Sequence, residues 1–153
     1  MDTSALLKIY VEEEGSALVR ERFSQAAELA TSAITFVEAH SALARRRNAG
    51  GLSPEDYRKA VREFSEGWEQ YLRLEIGDEV LGEAARLARE HVLRAYDAIH
   101  LGSAVVFRSR VRADVAVASW DDELDAAARR EGFSLLRHPR PRDKTTEAGR
   151  RRG

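Results

Sequence analysis

The chain has 153 residues, 43% of them hydrophobic, which is enough for one domain with a real core and excludes wholesale disorder. It has no cysteine, so a disulfide scaffold, a thiolate zinc site and cysteine catalysis are excluded. The formal charge of −1, from 25 basic and 26 acidic residues, excludes a histone-like mode of nucleic-acid binding but not a local basic patch.

Asp2-Thr3-Ser4 opens a helix as if the chain had just left a strand. Only Met1 precedes it, so the first strand is expected to be truncated or missing. Glu12-Glu13-Glu14 reads as a solvated helix end. Leu29 to Ile34 is a short apolar run with Thr and Ile, and predicts a strand. Thr35 to Arg47 predicts a helix, stopped by Asn48-Ala49-Gly50-Gly51. Ser53-Pro54-Glu55-Asp56 is a helix start: Ser as N-cap, Pro at the first helical position, acids in the first turn. Tyr57, Val61, Phe64, Trp68 and Tyr71 follow at spacings of three and four, a buried stripe. Tyr71 to Ile76 alternates like a strand. Asp78 to Val92 and Asp97 to Arg110 predict helices. Val115 to Ala118 predicts a strand, Asp121 to Arg130 a helix stopped at Gly132, and Phe133 to Leu136 a last strand.

Strands separated by helices imply parallel pairing through right-handed crossovers. The expected fold is a three-layer α/β/α sandwich with a mostly parallel central sheet, spanning residues 1–137. Residues 138–153 carry six basic and two acidic side chains, two prolines and almost nothing apolar, and are expected to form a disordered basic tail. No apolar run approaches the ~20 residues that span a bilayer, and the N-terminus lacks the order of a signal peptide. A cytoplasmic location is expected.

Four acids fall at or near a strand-to-helix handover: Asp2, Glu38, Asp97 and Asp121. In a parallel sheet such residues crowd at the carboxyl edge, where ligands bind. Carboxylates gathered there repel one another unless a hard cation sits among them, and an all-oxygen donor set suits Mg²⁺ or Mn²⁺. Each acid also has a structural reading. Asp2, Asp97 and Asp121 suit helix N-caps, and Thr35-Phe36-Val37-Glu38 has the form of a capping box.

Asp2-Thr3-Ser4-Ala5-Leu6-Leu7-Lys8 resembles the opening motif of PIN-domain proteins. Tyr96-Asp97-Ala98-Ile99-His100-Leu101-Gly102-Ser103-Ala104 is similar to their third acidic motif, in the form common among VapC-type toxins. Ser32-Ala33-Ile34-Thr35-Phe36-Val37-Glu38 resembles the second, and Ser119-Trp120-Asp121-Asp122-Glu123-Leu124 the fourth. The motifs stand in family order from residue 2 to about 136. The resemblance implies a metal-dependent ribonuclease of a toxin–antitoxin pair, with Asp2, Glu38, Asp97 and Asp121 as the acidic pocket. Asp2, Asp97 and Asp121 would be the metal ligands for Mg²⁺ or Mn²⁺, and Ser4 a buttress. It also implies an RNA substrate, an antitoxin partner and a homodimer. Alternatives within the fold are an RNA-processing nuclease without antitoxin and a catalytically inactive interaction module.

Other features carry plainer readings. Arg45-Arg46-Arg47 suits a helix C-terminus as well as RNA phosphates. His100 reads as packing beneath the site, and Asp122 as the best accessory ligand. Phe36, Val37, Leu43, Tyr57, Val61, Phe64, Trp68 and Tyr71 offer more apolar area than one core face needs, and part of it is expected to form a groove for a partner helix.

Overall fold

The computed structural model describes residues 1–111 and 113–137, so the expected basic tail at 138–153 lies outside the described residues. The chain opens on α1 (Thr3–Tyr10) and α2 (Ser16–Gln25), followed by β1 (Ala30–Ser32), α3 (Thr35–Asn48) and α4 (Pro54–Gly67). A 3₁₀ turn at Trp68–Gln70 leads to β2 (Leu72–Leu74). Then come α5 (Asp78–His91), α6 (Ala95–Val111), β3 (Ala116–Val117), α7 (Asp122–Arg130) and β4 (Ser134–Leu135).

The local chemistry at the helix ends explains most of these boundaries. Ser53 accepts the Asp56 N–H and Pro54 takes the first position of α4, as the sequence predicts. That helix was expected to run to Tyr71, but it closes at Gly67 and tightens into the 3₁₀ turn. The Glu12-Glu13-Glu14 run is not a helix end. It lies in the link between α1 and α2, where Glu13 pairs with Lys8 and with Arg46, each at 2.9 Å. The link turns at Gly15, whose φ of +88° favours glycine. A Cβ there would also lie 2.4 Å from the Trp120 ring.

Both strand pairs are parallel, as the crossovers require: Ala30, Thr31 and Ser32 face Leu72, Arg73 and Leu74, and Ala116 and Val117 face Ser134 and Leu135. The sheet is nevertheless in two pieces. Met1 and Asp2 lie between them and bond to both. The Met1 amino group donates to Ala30 O at 2.8 Å, Thr31 Oγ1 donates to Met1 O at 2.9 Å, and the Asp2 N–H donates to Ala118 O at 3.0 Å. Beside Met1 and Asp2 a cavity of about 730 Å³ runs between the pairs, lined by Leu29, Leu101, Ala104, Phe107, Val115 and Val117 among others. Burial pushes the Met1 amino group below its ordinary pKa, with the Asp2 charge opposing.

The core has two clusters. Leu6 and Leu7 of α1 pack with Leu43 of α3 and Phe64 of α4, and Leu87, Leu101, Val117, Leu124 and Phe133 pack together around α5, α6 and α7. The α5–α6 contact is close: a Cβ on Gly102 would lie 3.0 Å from Ala84 N and 3.1 Å from Val80 O. No helix among the described residues is long and apolar enough to cross a membrane.

Candidate active site

Asp2 precedes α1 and is buried. Its Oδ1 accepts the Ala5 N–H at 2.9 Å, so it does cap the helix. It also anchors a wider network. Ser4 Oγ sits 2.9 and 2.8 Å from the two Asp2 oxygens and accepts the Trp120 N–H at 2.8 Å. Ser119 Oγ donates to Asp2 Oδ2 at 3.1 Å and accepts the Asp121 N–H at 2.9 Å. Two hydroxyls therefore tie the start of α1 to the loop between β3 and α7. Ser4 buttresses the first acid, as expected. A hydroxyl donates one hydrogen at a time, so three of the roughly four lone-pair positions of the carboxylate are filled and one remains.

Asp121 caps α7, its Oδ1 accepting from Glu123 N and Leu124 N at 2.9 Å each, while Oδ2 takes no hydrogen bond among the described residues. Asp97 is different. The helix α6 begins at Ala95, so Asp97 lies inside its first turn and is not the cap. Its carboxylate accepts no hydrogen bond among the described residues, so the capping reading fails. Burial pushes its carboxyl above the usual pKa, helped by the Asp121 charge and, less, by Asp2, while His100 and Arg94 oppose. Asp97 therefore feels the charge of both other aspartates.

Glu38 also loses its structural reading. No side chain caps α3, Thr35 Oγ1 pairs with Thr31 Oγ1 at 2.8 Å, and the predicted capping box does not form. Glu38 Oε2 instead meets Thr3 Oγ1 and His100 Nε2, both at 2.6 Å. Burial alone would raise its pKa, but His100, by hydrogen bond and charge, then Thr3 and Arg45 hold it below the usual value. Thr3 adjoins Asp2, and His100 is one turn past Asp97. The contacts thus join all four predicted acids through their neighbours.

The four are not a closed ligand shell. Among the described residues, the trio whose ligand atoms all lie within 4.8 Å of one another is Glu90, His91 and Glu131. That trio already holds a cation: Arg86 reaches Glu90 at 2.5 Å and Glu131 at 3.0 Å, and His91 Nε2 lies 2.7 Å from Glu131. It staples the end of α5 to the end of α7. No three of Asp2, Glu38, Asp97 and Asp121 form such a group.

Several secondary expectations change. Asp122, the expected accessory ligand, has a side chain 93% exposed and paired with Arg137. Asp125, one turn on, is the buried acid; its Oδ2 pairs with Arg137 at 2.7 Å, and burial leads the forces that raise its pKa. The signal for it was its spacing of four from Asp121. Arg46 pairs with Glu13, and Arg47 lies over the Tyr57 ring, so both have partners within the fold. Of the eight apolar residues on α3 and α4 and beyond, Leu43, Phe64 and Tyr71 are buried, whereas Phe36 is 37% and Val37 64% exposed.

Residues 1–130 match the PIN domain family. Over 131 residues, 86% of this chain, it is 30% identical to Ribonuclease VapC45 from Mycobacterium tuberculosis (strain CDC 1551 / Oshkosh), covering 89% of that protein. It is equally similar to Ribonuclease VapC49 from Mycobacterium tuberculosis (strain ATCC 25618 / H37Rv), again 30% over 86% of the chain. With acids at four helix starts drawn together by Thr3, Ser4, His100 and Ser119, and a match across nearly its whole described length, this chain belongs to the PIN-domain family.

Proposed function

We propose that the protein is a divalent-metal-dependent ribonuclease, the toxin of a toxin–antitoxin pair, with Asp2, Glu38, Asp97 and Asp121 as its acidic pocket. The observation that carries this reading is Asp97. It is a half-buried carboxylate with no hydrogen bond among the described residues, and its proton affinity is raised by burial and by two neighbouring aspartates. A group that caps nothing and is crowded by like charge costs stability unless it serves a ligand. The names of the similar mycobacterial proteins supply the reaction class.

The donor set fits Mg²⁺ or Mn²⁺: oxygens alone, with acceptor capacity left on Asp97, on Asp121 Oδ2 and in part on Asp2. When bound, such an ion supplies charge neutralisation at the phosphate and lowers the pKa of a water. The chain's part is to orient. Asp2, Asp97 and Asp121 would hold the ion, and Glu38 would accept a proton from the attacking water; as the water oxygen bonds to phosphorus the bond to the leaving ribose oxygen breaks, and that oxygen takes a proton from solvent. The protein acts in the cytoplasm on RNA, as a homodimer. Its antitoxin lays an amphipathic segment on the exposed Phe36 and Val37, beside the pocket-bearing start of α3.

The test is cleavage of a panel of structured RNAs by the purified protein with Mg²⁺, Mn²⁺ or EDTA. Cleavage is expected with either ion, none with EDTA, and none from Asp97→Asn. Cleavage that persists in EDTA, or at full rate in the variant, contradicts the reading.

A further inference from the structure

Three helices converge on one oxygen atom. Thr3 Oγ1 from the first turn of α1 and His100 Nε2 from α6 both lie 2.6 Å from Oε2 of Glu38 on α3. An ionised carboxylate only accepts, so the hydrogen on this His100 contact belongs to Nε2. Neither contact involves Oε1, which takes no hydrogen bond among the described residues. The His100 side chain is 6% exposed and that of Glu38 23%, so the histidine is a wall and the glutamate reaches solvent. Two short bonds of this kind are stronger than neutral ones and directional. Together they remove the freedom of the glutamate's last torsion, which is otherwise broad.

Resting on the nuclease reading above, we propose that Thr3 and His100 are positioning residues for RNA cleavage: they clamp Glu38 by Oε2 so that Oε1 stays the free acceptor for the attacking water. The residues do not touch substrate themselves. Their value lies in holding the acceptor within the narrow geometry that proton transfer needs, where a small misplacement costs rate and not binding. A purely structural role predicts otherwise. Removing either contact would then loosen the join of α1, α3 and α6 and leave the turnover of the folded molecules unchanged.

The experiment compares full-length wild type, His100→Leu, His100→Gln and Thr3→Val, each measured for thermal unfolding and for steady-state RNA cleavage in Mn²⁺. Glutamine is the conservative variant, since its amide can set an N–H near the place of Nε2. With every variant folded at the assay temperature, His100→Leu and Thr3→Val should lose at least about tenfold in kcat with KM within about threefold, as expected for an interaction that acts in the transition state. His100→Gln should recover most of the lost kcat. A folded His100→Leu with wild-type kcat overturns the positioning role alone, as does a His100→Gln no better than His100→Leu. Wild-type protein that leaves RNA intact at every Mn²⁺ concentration refutes the nuclease reading, and the positioning role with it.

Discussion

Two of the four candidate acids cap helices, and two do not. Asp2 and Asp121 cap helices and still have acceptor capacity, so deleting either confounds folding with chemistry. Asp97 and Glu38 have no capping duty, which makes Asp97 the cleaner probe. In metal-free protein its folded-state pKa lies above the ordinary value of an aspartate, by burial first and neighbouring charge second. Between those two pKa values the folded state binds more protons than the unfolded one, so stability falls as pH rises through the window. Asp97→Asn removes that slope. At pH 7 without metal the variant is expected to melt a few degrees higher than wild type, and to cleave no RNA. A lower melting temperature in thermal scans would mean that Asp97 carries a structural bond after all. The places of the acids at helix starts were legible in the sequence because a strand-to-helix handover is a local pattern. Thr3, Ser119 and the Glu38 contact of His100 were not, because their partners lie 35 to 117 residues away in the chain.

At the scale of elements, local chemistry announced the helix starts and missed what has little amphipathic signature. Ser53-Pro54 is self-contained and was readable. The helix α2 was not, since Val19 is its one fully buried apolar side chain and no stripe forms. The α5–α6 contact depends on a glycine whose role no single-sequence pattern marks. At Gly102 the nearest atoms are backbone and cannot swing away. Gly102→Ala should therefore destabilise the protein by about 1–3 kcal/mol, the ordinary cost of overpacking. Gly82, in α5 with nothing within 4 Å of an added Cβ, is the control. Gly82→Ala should stabilise by roughly 0.5–1 kcal/mol through helix propensity alone. Denaturant titrations of both variants check the pair, and equal signs would contradict the packing account.

Across the whole molecule, the class of fold was readable because alternating strands and helices leave few topologies. The division of the sheet into two strand pairs was not read from the sequence, which carries no local pattern for it. Its consequence is that Asp2, which with Met1 joins the halves, is also the first acid of the candidate site. The four candidate acids stand at the starts of four helices: Asp2 before α1, Glu38 in the first turn of α3, Asp97 in that of α6 and Asp121 before α7. The rival cation site, Glu90, His91 and Glu131, is a staple already neutralised by Arg86, whose pKa is raised chiefly by its hydrogen bond to Glu131. The account's central claim is that Asp2, Glu38, Asp97 and Asp121 serve one cation, and Mn²⁺ binding by calorimetry or electron paramagnetic resonance tests it most directly. Asp97→Asn should weaken Mn²⁺ binding by at least about tenfold, since loss of even an outer-shell partner costs that much, while Glu131→Gln binds like wild type. Unchanged Mn²⁺ affinity in Asp97→Asn, or its loss in Glu131→Gln, would contradict the account.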